Sequence, residues 1–422
     1  MATFSFVLAY TFILCVNAIN TRDFGHFYQS NQNNVLNISH DVKGQIDPDV
    51  HKNITEFIIG EGYPFEKYTV ETSDGFLLDL HRIPWGRQNG STRNVKVSRP
   101  AVYLQHALLS SAADWVMNFA HGSLGFILAD AGFDVWMGNT RGNTYSRQHV
   151  RLQPDDPKFW EWSFDEMAQY DTPAFIDFVL EQTKQDSLFY IGHSQGTTMA
   201  FALLAQRPDF AQKIKLFVAL APVAHLNHMK SPIKYLADFP DKLLYDVFGQ
   251  RDFLPNGKFL KFLVDKVCAD VLTRWICYND LFLFSGYDIS NLNQTRLPVY
   301  MNQSPSGVST RDMVHFAQTY REKQFVKYNY GSAQENYRHY NQSQPPQYDV
   351  TKINVPIVAF TSTKDWLSDP EDASKLFQEL PNLKAKYEIS GWNHIDFAWG
   401  MDAPQRCYSI IVDWLHNLTS RL

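Results

Sequence analysis

The sequence has few cysteines and no strong excess of one charge. Its 422 residues include four cysteines, and its formal net charge is −6. No lysine- or arginine-rich stripe is present, so nucleic acid is not an expected partner. Outside the N-terminal apolar run only Cys268, Cys277 and Cys407 remain, and three scattered cysteines have none of the familiar zinc-site spacings. The sequence therefore predicts no metal centre.

Long apolar runs are also missing beyond the N-terminus. No later stretch reaches 18 apolar residues without a charge, so we expect no transmembrane segment and a soluble mature protein. The run from Phe4 to Val16 is short for a bilayer span and leads into Val16-Asn17-Ala18, a small-residue cleavage pattern. No positive charge precedes it. We interpret residues 1–18 as a secretory signal peptide rather than a buried helix or an anchor.

Asn-X-Ser/Thr sequons support the secretory route. They occur at seven positions: Asn37, Asn53, Asn89, Asn293, Asn302, Asn341 and Asn417. Pro305 closely follows Asn302 and weakens the case for that site. In an oxidising compartment Cys268 and Cys277, which close a short loop, are the candidate disulfide. Cys407 lies in an apolar helical pattern and is expected to be a buried free thiol.

Apolar runs alternate with helical patterns along most of the chain. Residues 68–84 read as a hairpin with Asp74-Gly75 at its turn. Near-continuous apolar runs typical of strands buried on both faces cover 101–109, 133–140, 188–194, 215–224 and 355–365. Amphipathic helical stretches cover 162–183, 197–208 and 369–381, the last opening with an Asp cap and Pro at the first helical position. This order predicts an α/β fold with a mostly parallel sheet.

The alternation stops between about residues 225 and 350. We predict that 225–350 is a mainly helical cap inserted between two parts of one core, residues 51–224 and 351–422. Residues 19–50 are polar and Asn-rich and are expected to form an N-terminal arm. The apolar stripe of 235–264 is interpreted as a lid, with plain packing inside the cap as the alternative.

Ser194 is the candidate nucleophile. It stands in Gly192-His193-Ser194-Gln195-Gly196, after an apolar strand and before a helical stretch. In a G-X-S-X-G elbow the serine takes a strained backbone conformation, and the glycines let the neighbouring backbone approach closely. The alternative is an ordinary Gly/Ser loop.

A serine hydroxyl needs a base, and the base needs an orienting acid. In the strand-elbow architecture these follow in the order Ser, Asp, His. Asp365 ends a late strand, and His394 follows the strand-like segment 384–390. The competing acids are Asp369, Asp372 and Asp396, and the other histidines considered are His81, His225 and His315. Asp369 is better explained as a helix cap, and Asp396 is too close to His394 in sequence.

The oxyanion of an acyl-transfer intermediate needs two backbone N–H donors. One is expected from Gln195, at the start of a helix whose dipole favours negative charge. The other is expected from the loop after an early strand, residues 104–111, with Leu108 as the candidate donor. The alternative for 104–111 is a strand end that packs in the core.

Several blocks resemble the animal acid lipases, the gastric and lysosomal lipase family. They are GYPFEKYTVETSDGFLLDLHRIP, LQHALLSSAADWV, FDVWMGNTRGNTYSR, FWEWSFDEMAQYD, GHSQGTT, KDWLSDP and NHIDFAWG, in order across residues 50 to 415. The resemblance implies an α/β-hydrolase core with a helical cap and lid. It further implies hydrolysis of neutral-lipid esters at a lipid–water interface, without a cofactor.

The resemblance also assigns roles to residues. It matches Ser194 to the family nucleophile, Asp365 to the triad acid and His394 to the base. Leu108 and Gln195 match the oxyanion donors, and Cys268 and Cys277 match a cap disulfide. One departure concerns the oxyanion loop, where Ala107 replaces the glycine of the usual HGL; a positive φ at this position would strain an alanine.

Three functions are carried forward. The first is a lipase for triacylglycerols or sterol esters, in the lumen of the secretory pathway, in the lysosome or outside the cell, acting as a monomer. The second is a carboxylesterase for small soluble esters, which a large apolar cap disfavours. The third is a non-catalytic lipid-binding protein on the same fold, which the intact Ser194, Asp365 and His394 disfavour.

Overall fold

The computed structural model describes residues 47–87, 99–253, 284–286, 288 and 290–420. The predicted signal peptide, the Cys268–Cys277 disulfide, the sequons at Asn37 and Asn89 and residues 254–264 of the predicted lid lie outside the described residues. Within these ranges no helix combines the length and apolarity that a bilayer crossing requires.

Strands form one large sheet and one small ribbon. In chain order they are β1 (Glu66–Glu71), β2 (Phe76–Ile83), β3 (Ala101–Gln105), β4 (Asp134–Gly138), β5 (Gln148–His149), β6 (Leu188–His193), β7 (Ile214–Leu220), β8 (Asp252–Phe253), β9 (Val308–Ser309), β10 (Ile357–Ser362) and β11 (Leu383–Ile389). The large sheet has the order β1-β2-β4-β3-β6-β7-β10-β11, with β5 beside β2, and β8 pairs with β9.

Helices flank this sheet, and most of the described elements between β7 and β10 are helical as well. The α-helices are α1 (Ile54–Gly60), α2 (Phe119–Gly122), α3 (Leu124–Asp130), α4 (Phe164–Glu166), α5 (Thr172–Thr183), α6 (Gln195–Gln206), α7 (Asp241–Phe248), α8 (Leu297–Gln303), α9 (Thr310–Glu322), α10 (Ala333–Tyr340), α11 (Pro370–Glu379), α12 (Asp396–Trp399) and α13 (Ser409–Thr419). Short 3₁₀ turns cover Ala112–Trp115, Pro157–Trp160, Pro208–Lys213, Pro232–Asp238, Gln294–Arg296 and Val350–Lys352, and π-helical turns cover Met167–Asp171 and Pro404–Tyr408.

The sheet is parallel from β4 through β11 and ends in an antiparallel hairpin. β3 pairs in parallel with β4 and β6, and β10 pairs in parallel with β7 and β11. β1 and β2 form the predicted hairpin, with Gly75 at φ 98° in its turn. The prediction of a mostly parallel α/β sheet is confirmed.

Alternate residues of the central strands enter the two faces of the sheet, as the period of two requires. In β6, Phe189 and Ile191 join the core on one face, while Leu188 and Tyr190 join the core on the other. Every residue of β3, β4, β6 and β10 is buried. Burial on both faces explains why these strands read as continuous apolar runs rather than as alternating ones.

The Asp cap predicted before α11 is present. The Asp369 side chain accepts a hydrogen bond from Glu371 N at 2.9 Å, and Pro370 begins the helix. Cys407 is buried and free, as the sequence predicted.

One sequon prediction does not fit the fold. Asn302 is 8% exposed, and its Nδ2, the atom that a glycan would occupy, donates to Val50 O at 2.6 Å. The amide therefore fastens α8 to the chain before α1 and leaves no room for a sugar. Asn53, Asn341 and Asn417 are exposed, and Asn293 is half-buried.

A buried ion cluster holds the loop after β4. Arg141 is 1% exposed and pairs with Asp171 at 2.6 Å and with Asp74 at 2.7 Å. Its guanidinium also lies over the Phe76 ring, 4.1 Å from the centroid. This cluster joins the β1–β2 turn, the loop after β4 and the start of α5, because each supplies one charged member.

Replacing Arg141 with alanine should lower the free energy of unfolding by about 3–5 kcal/mol, since the buried Asp171 carboxylate and the half-buried Asp74 carboxylate lose their cation. Urea denaturation followed by tryptophan fluorescence would measure the change. Arg207→Ala is the matched control, because Arg207 pairs with the exposed Asp209 at the surface. Equal stability of the two variants would contradict the structural role given to Arg141.

Candidate active site

Ser194 lies at the sharp turn between β6 and α6. Its φ and ψ are 53° and −118°, a conformation that non-glycine residues seldom adopt. The flanking positions must be glycine because other backbone atoms lie too close to each of them to allow a Cβ. A Cβ on Gly192 would lie 2.7 Å from the backbone of Gly196, and a Cβ on Gly196 would lie 2.4 Å from Gln105 O. The motif forms the strained elbow that the sequence predicted.

Asp365 and His394 meet at the carboxyl ends of β10 and β11, which are neighbours in the sheet. His394 Nδ1 lies 2.8 Å from Asp365 Oδ2 and 3.0 Å from Oδ1. Asp365 Oδ1 also accepts from Leu367 N at 2.9 Å and Ser368 N at 2.8 Å. These contacts hold the carboxylate and assign the Nδ1–H tautomer to His394. His394 Nε2 is buried and has no hydrogen-bond partner among the described residues.

Ser194 and His394 line the same cavity, which has a volume of about 390 Å³. The sheet side contributes residues after β3, β6 and β11. The region between β7 and β10 contributes mainly apolar side chains, namely Val223, Leu226, Met229, Pro232, Ile233, Leu236, Ala237, Phe248, Phe253, Met301, Met313, Phe316 and Ala317. A buried nucleophile elbow with an unpartnered imidazole nitrogen thus opens into an apolar space.

The loop after β3 borders the same cavity through Ala107, Leu108, Leu109 and Ser110. β3 ends at Gln105, so Leu108 lies in a loop and not in a strand end. Neither Leu108 N nor Gln195 N donates to an acceptor within the described ranges. Both amides are therefore available to a ligand atom, as an oxyanion hole requires.

The alanine in place of glycine in this loop is not strained. Positive φ occurs at Leu109, where it is 59°, and not at Ala107. The Leu109 carbonyl is held by Ser306 N at 2.7 Å and Ser304 Oγ at 3.2 Å. The left-handed turn thus falls two residues later than the substitution.

Sequence reasoning overlooked His106, which supports the oxyanion loop. Its Nε2 accepts from Thr140 N at 3.2 Å, and its Nδ1 lies 2.8 Å from Ala107 O. Burial lowers the pKa of His106 to about 4, so the ring is neutral and Nδ1 carries the proton. Its sequence position could have identified it, because it directly follows a buried strand and lies two residues before the candidate donor Leu108.

His193 is a second overlooked residue. Its ring centroid lies 5.0 Å from that of His394, and its Nε2 lies 2.9 Å from His394 O. Burial, reinforced by the neighbouring His394, lowers the pKa of His193 to about 3. A neutral ring at this place packs beside His394 without adding a second charge.

The competing acids have other partners. Asp369 caps α11, and Asp372 accepts from His228 N at 2.8 Å. Asp396 accepts from Asn393 N at 2.6 Å, on the loop that carries His394. The other candidate histidines lie elsewhere: His225 contacts Glu379, His315 contacts Ser163, and His81 lies by Asn139. Of the acids considered, the structure places Asp365 against His394.

Ala107→Gly should lower the free energy of unfolding by about 0.4–1 kcal/mol, because glycine adds chain entropy to the unfolded state and relieves no strain. Thermal or urea unfolding would measure the loss, with Ala112→Gly as a second unstrained alanine for comparison. A stabilised Ala107→Gly variant would mean that the loop needs a positive φ at this position.

Comparison with known proteins agrees with this geometry. A family model for the alpha/beta hydrolase fold matches residues 100–401, and a model for a partial alpha/beta-hydrolase lipase region matches residues 54–119. Lysosomal acid lipase/cholesteryl ester hydrolase of Homo sapiens is 46% identical, covering 88% of this chain and 92% of the relative. Gastric triacylglycerol lipase of Homo sapiens is 45% identical, covering 90% and 96%.

Solved structures agree at the level of the fold. A protein of Acinetobacter baumannii superimposes with a TM-score of 0.52 at 15% identity, over 90% of this chain and 100% of that one. A bacterial membrane phospholipase A gives a TM-score of 0.51 at 12% identity, over 98% of both chains. The family model and the sequence relatives show that the chain belongs, along nearly its whole length, to the acid lipase family of α/β hydrolases.

Proposed function

We propose that this protein is a serine lipase that hydrolyses carboxylic ester bonds of neutral lipids, triacylglycerols or sterol esters. The observation that carries the proposal is the Asp365–His394 pair, whose free Nε2 shares an apolar cavity with Ser194. The names of the relatives, a cholesteryl ester hydrolase and a triacylglycerol lipase, support the same substrate class.

The reaction proceeds by two acyl transfers. Ser194 Oγ attacks the ester carbonyl carbon while His394 Nε2 takes the hydroxyl proton, and Asp365 stabilises the resulting imidazolium through Nδ1–H. The N–H groups of Leu108 and Gln195 bind the carbonyl oxygen as it becomes an oxyanion. His394 then protonates the departing alcohol oxygen, and the C–O bond breaks. Water, activated by His394, hydrolyses the acyl-enzyme in the same way.

Apolar walls favour a long acyl chain over a small polar ester. The cavity is closed on one side by residues 223–253 and 313–317, which we propose belong to a cap over the site. We predicted a core of residues 51–224 and 351–422 and a cap of residues 225–350. The long chain segment that separates β7 from β10 supports this division. We propose that the enzyme acts as a monomer. Movement of the cap residues would open the cavity to lipid at a lipid–water interface.

We further propose that the chain enters the secretory pathway and works in a lumen, the lysosome or the extracellular fluid. The exposed sequons at Asn53, Asn341 and Asn417 support this route, and the half-buried Asn293 is a weaker candidate. The Cys268–Cys277 disulfide stays a prediction of the same oxidising environment.

Ser194→Ala should reduce kcat by about a millionfold, since the nucleophile is lost while the cavity stays intact. Asp365→Asn should reduce kcat by about ten-thousandfold, because the amide no longer favours the productive tautomer of His394. Hydrolysis of p-nitrophenyl butyrate would measure both losses. Asp369→Asn, which keeps a capping oxygen at α11, is the matched control and should retain activity. Full activity of Ser194→Ala would refute the mechanism.

Wild-type kcat/KM should rise roughly fourfold per added acyl methylene until the chain fills the cavity, since each buried CH₂ contributes about 0.8 kcal/mol. A series of p-nitrophenyl esters from acetate to palmitate, followed by triolein and cholesteryl oleate emulsions, would measure the trend. Highest activity on acetate, with none on emulsions, would instead identify a carboxylesterase for soluble esters.

A further inference from the structure

Two buried carboxyl groups contact the two halves of the candidate oxyanion hole. Asp114, 4% exposed, hydrogen-bonds Ser110 Oγ through Oδ2, two residues beyond Leu108 in the same loop. Asp312, 0% exposed, hydrogen-bonds the Gln195 side-chain amide through Oδ2. Each carboxyl therefore fastens one of the segments that carry a proposed oxyanion donor.

The second oxygen of each carboxyl is fixed as an acceptor. Asp114 Oδ1 accepts from Trp399 Nε1 at 3.3 Å, and Trp399 ends α12, the helix that follows His394. Asp312 Oδ1 accepts from Phe164 N at 2.6 Å, at the start of α4. The first carboxyl thus ties the oxyanion loop to the histidine side of the site. The second ties Gln195 to α9 and α4.

Neither carboxyl has a cation beside it in the described part of the chain. Buried Asp171 and Asp134, by contrast, form ion pairs with Arg141 and Arg82. A buried carboxylate without a cation is costly, whereas a neutral carboxylic acid has one acceptor and one donor oxygen. In the structure Ser110 Oγ donates to Asp114 Oδ2, and Gln195 Nε2 donates to Asp312 Oδ2. Protonation of Oδ2 would reverse both bonds: Asp114 would donate to Ser110 Oγ, and Asp312 would donate to Gln195 Oε1 once the Gln195 amide has rotated.

We propose that Asp114 and Asp312 are positioning residues that hold the oxyanion loop and Gln195 in place as neutral, protonated acids. This inference rests on the proposed function. Ionisation would remove the donor from Oδ2 and place an unpaired negative charge near the developing oxyanion, which it would repel. The site is thereby assembled for catalysis in acidic to neutral solution and weakens as the pH rises.

The surroundings of Asp114 favour the neutral form. Burial raises its pKa to about 7, against the hydrogen bonds from Ser110 and Trp399. Among the described residues, Tyr408 on the π-helical turn before α13 also faces Asp114, and its pKa is raised well above its ordinary value, so that it is neutral too. His193 and His394 border the same cavity as Asp114.

Asp312 faces more charged groups. Burial, helped by Glu166 and Asp165, raises its pKa to about 7, although Gln195 and Phe164 N donate to it. The start of α9 also favours the anion. His315, one turn further along α9, is neutral because burial lowers its pKa to about 4. Arg311 points its guanidinium to Glu161 O and the Tyr328 ring, and forms no ion pair with Asp312 in the described ranges.

Asparagine is the decisive substitution, because Asn Oδ1 accepts and Asn Nδ2 donates at every pH. Asp114→Asn and Asp312→Asn should retain activity near pH 6. A group whose pKa is about 7 is only about one-tenth neutral at pH 8. The ratio of variant to wild-type kcat on p-nitrophenyl butyrate should therefore rise about tenfold between pH 6 and pH 8. Taking the ratio cancels every pH effect that the variant and the wild type share.

Asp79→Asn is the matched control, since Asp79 is a buried carboxyl of raised pKa that pairs with Lys67. It lies on β2, two strands away from β3 in the sheet. The ratio of Asp79→Asn kcat to wild-type kcat should not change between pH 6 and pH 8. Asp114→Ala and Asp312→Ala remove the contacts altogether and should lower kcat at every pH with little change in KM. A residue that only stabilised the fold would change the thermal midpoint and leave the pH profile alone.

Folding of each variant is checked by its thermal midpoint at pH 5. If Asp114→Asn does not fold, Ser110→Ala breaks the same contact from the loop side, and kcat should fall with KM unchanged. Flat ratios for the folded asparagine variants, like that of the control, would overturn this inference while leaving the proposed function standing. Absence of Ser194-dependent hydrolysis in the wild type at any pH would instead overturn the proposed function.

Discussion

The close contact between the α6 start and the end of β3 constrains the whole site. Gly196 lies so near Gln105 O that a Cβ would stand only 2.4 Å away. This contact brings the elbow that carries Ser194 beside the loop that begins at His106. In the proposed mechanism, Ser194 and the N–H groups of Gln195 and Leu108 act on one carbonyl group, which requires these two segments to touch. Any larger residue at 196 would push them apart.

The parallel sheet brings together the three residues of the candidate triad. Because β6, β10 and β11 are parallel, their carboxyl ends lie at one edge, and the loops that follow them carry Ser194, Asp365 and His394. The Asp365 carboxylate is held by backbone N–H groups of its own loop. Its position is therefore set locally, whereas Ser194 and His394 are brought to it by the strand order of the sheet.

The buried carboxyl groups of this fold have two kinds of hydrogen-bond partner. Asp171 and Asp134 each form an ion pair with an arginine, and Asp365 contacts the His394 imidazole. Asp114 and Asp312 have only neutral partners. An arginine partner compensates the charge of a buried carboxylate, whereas neutral acids make the geometry around them depend on protonation. Their places beside Ser110 and Gln195 link that dependence to the reaction.

The linear sequence determined the features that depend on local pattern. Apolar runs marked β3, β4, β6, β7 and β10, the Asp-Pro pair marked α11, and motif order singled out Ser194, Asp365 and His394. It could not show that Ala107 escapes a positive φ, that Asn302 is buried, or that His106 and His193 support the site, because these depend on neighbours more than 30 residues away. The pairing of Asp114 with Ser110 spans four residues, yet its chemistry depends on burial and on Trp399, 285 positions along. Pattern and propensity act along the chain, whereas burial and charge environment exist only once the chain is packed.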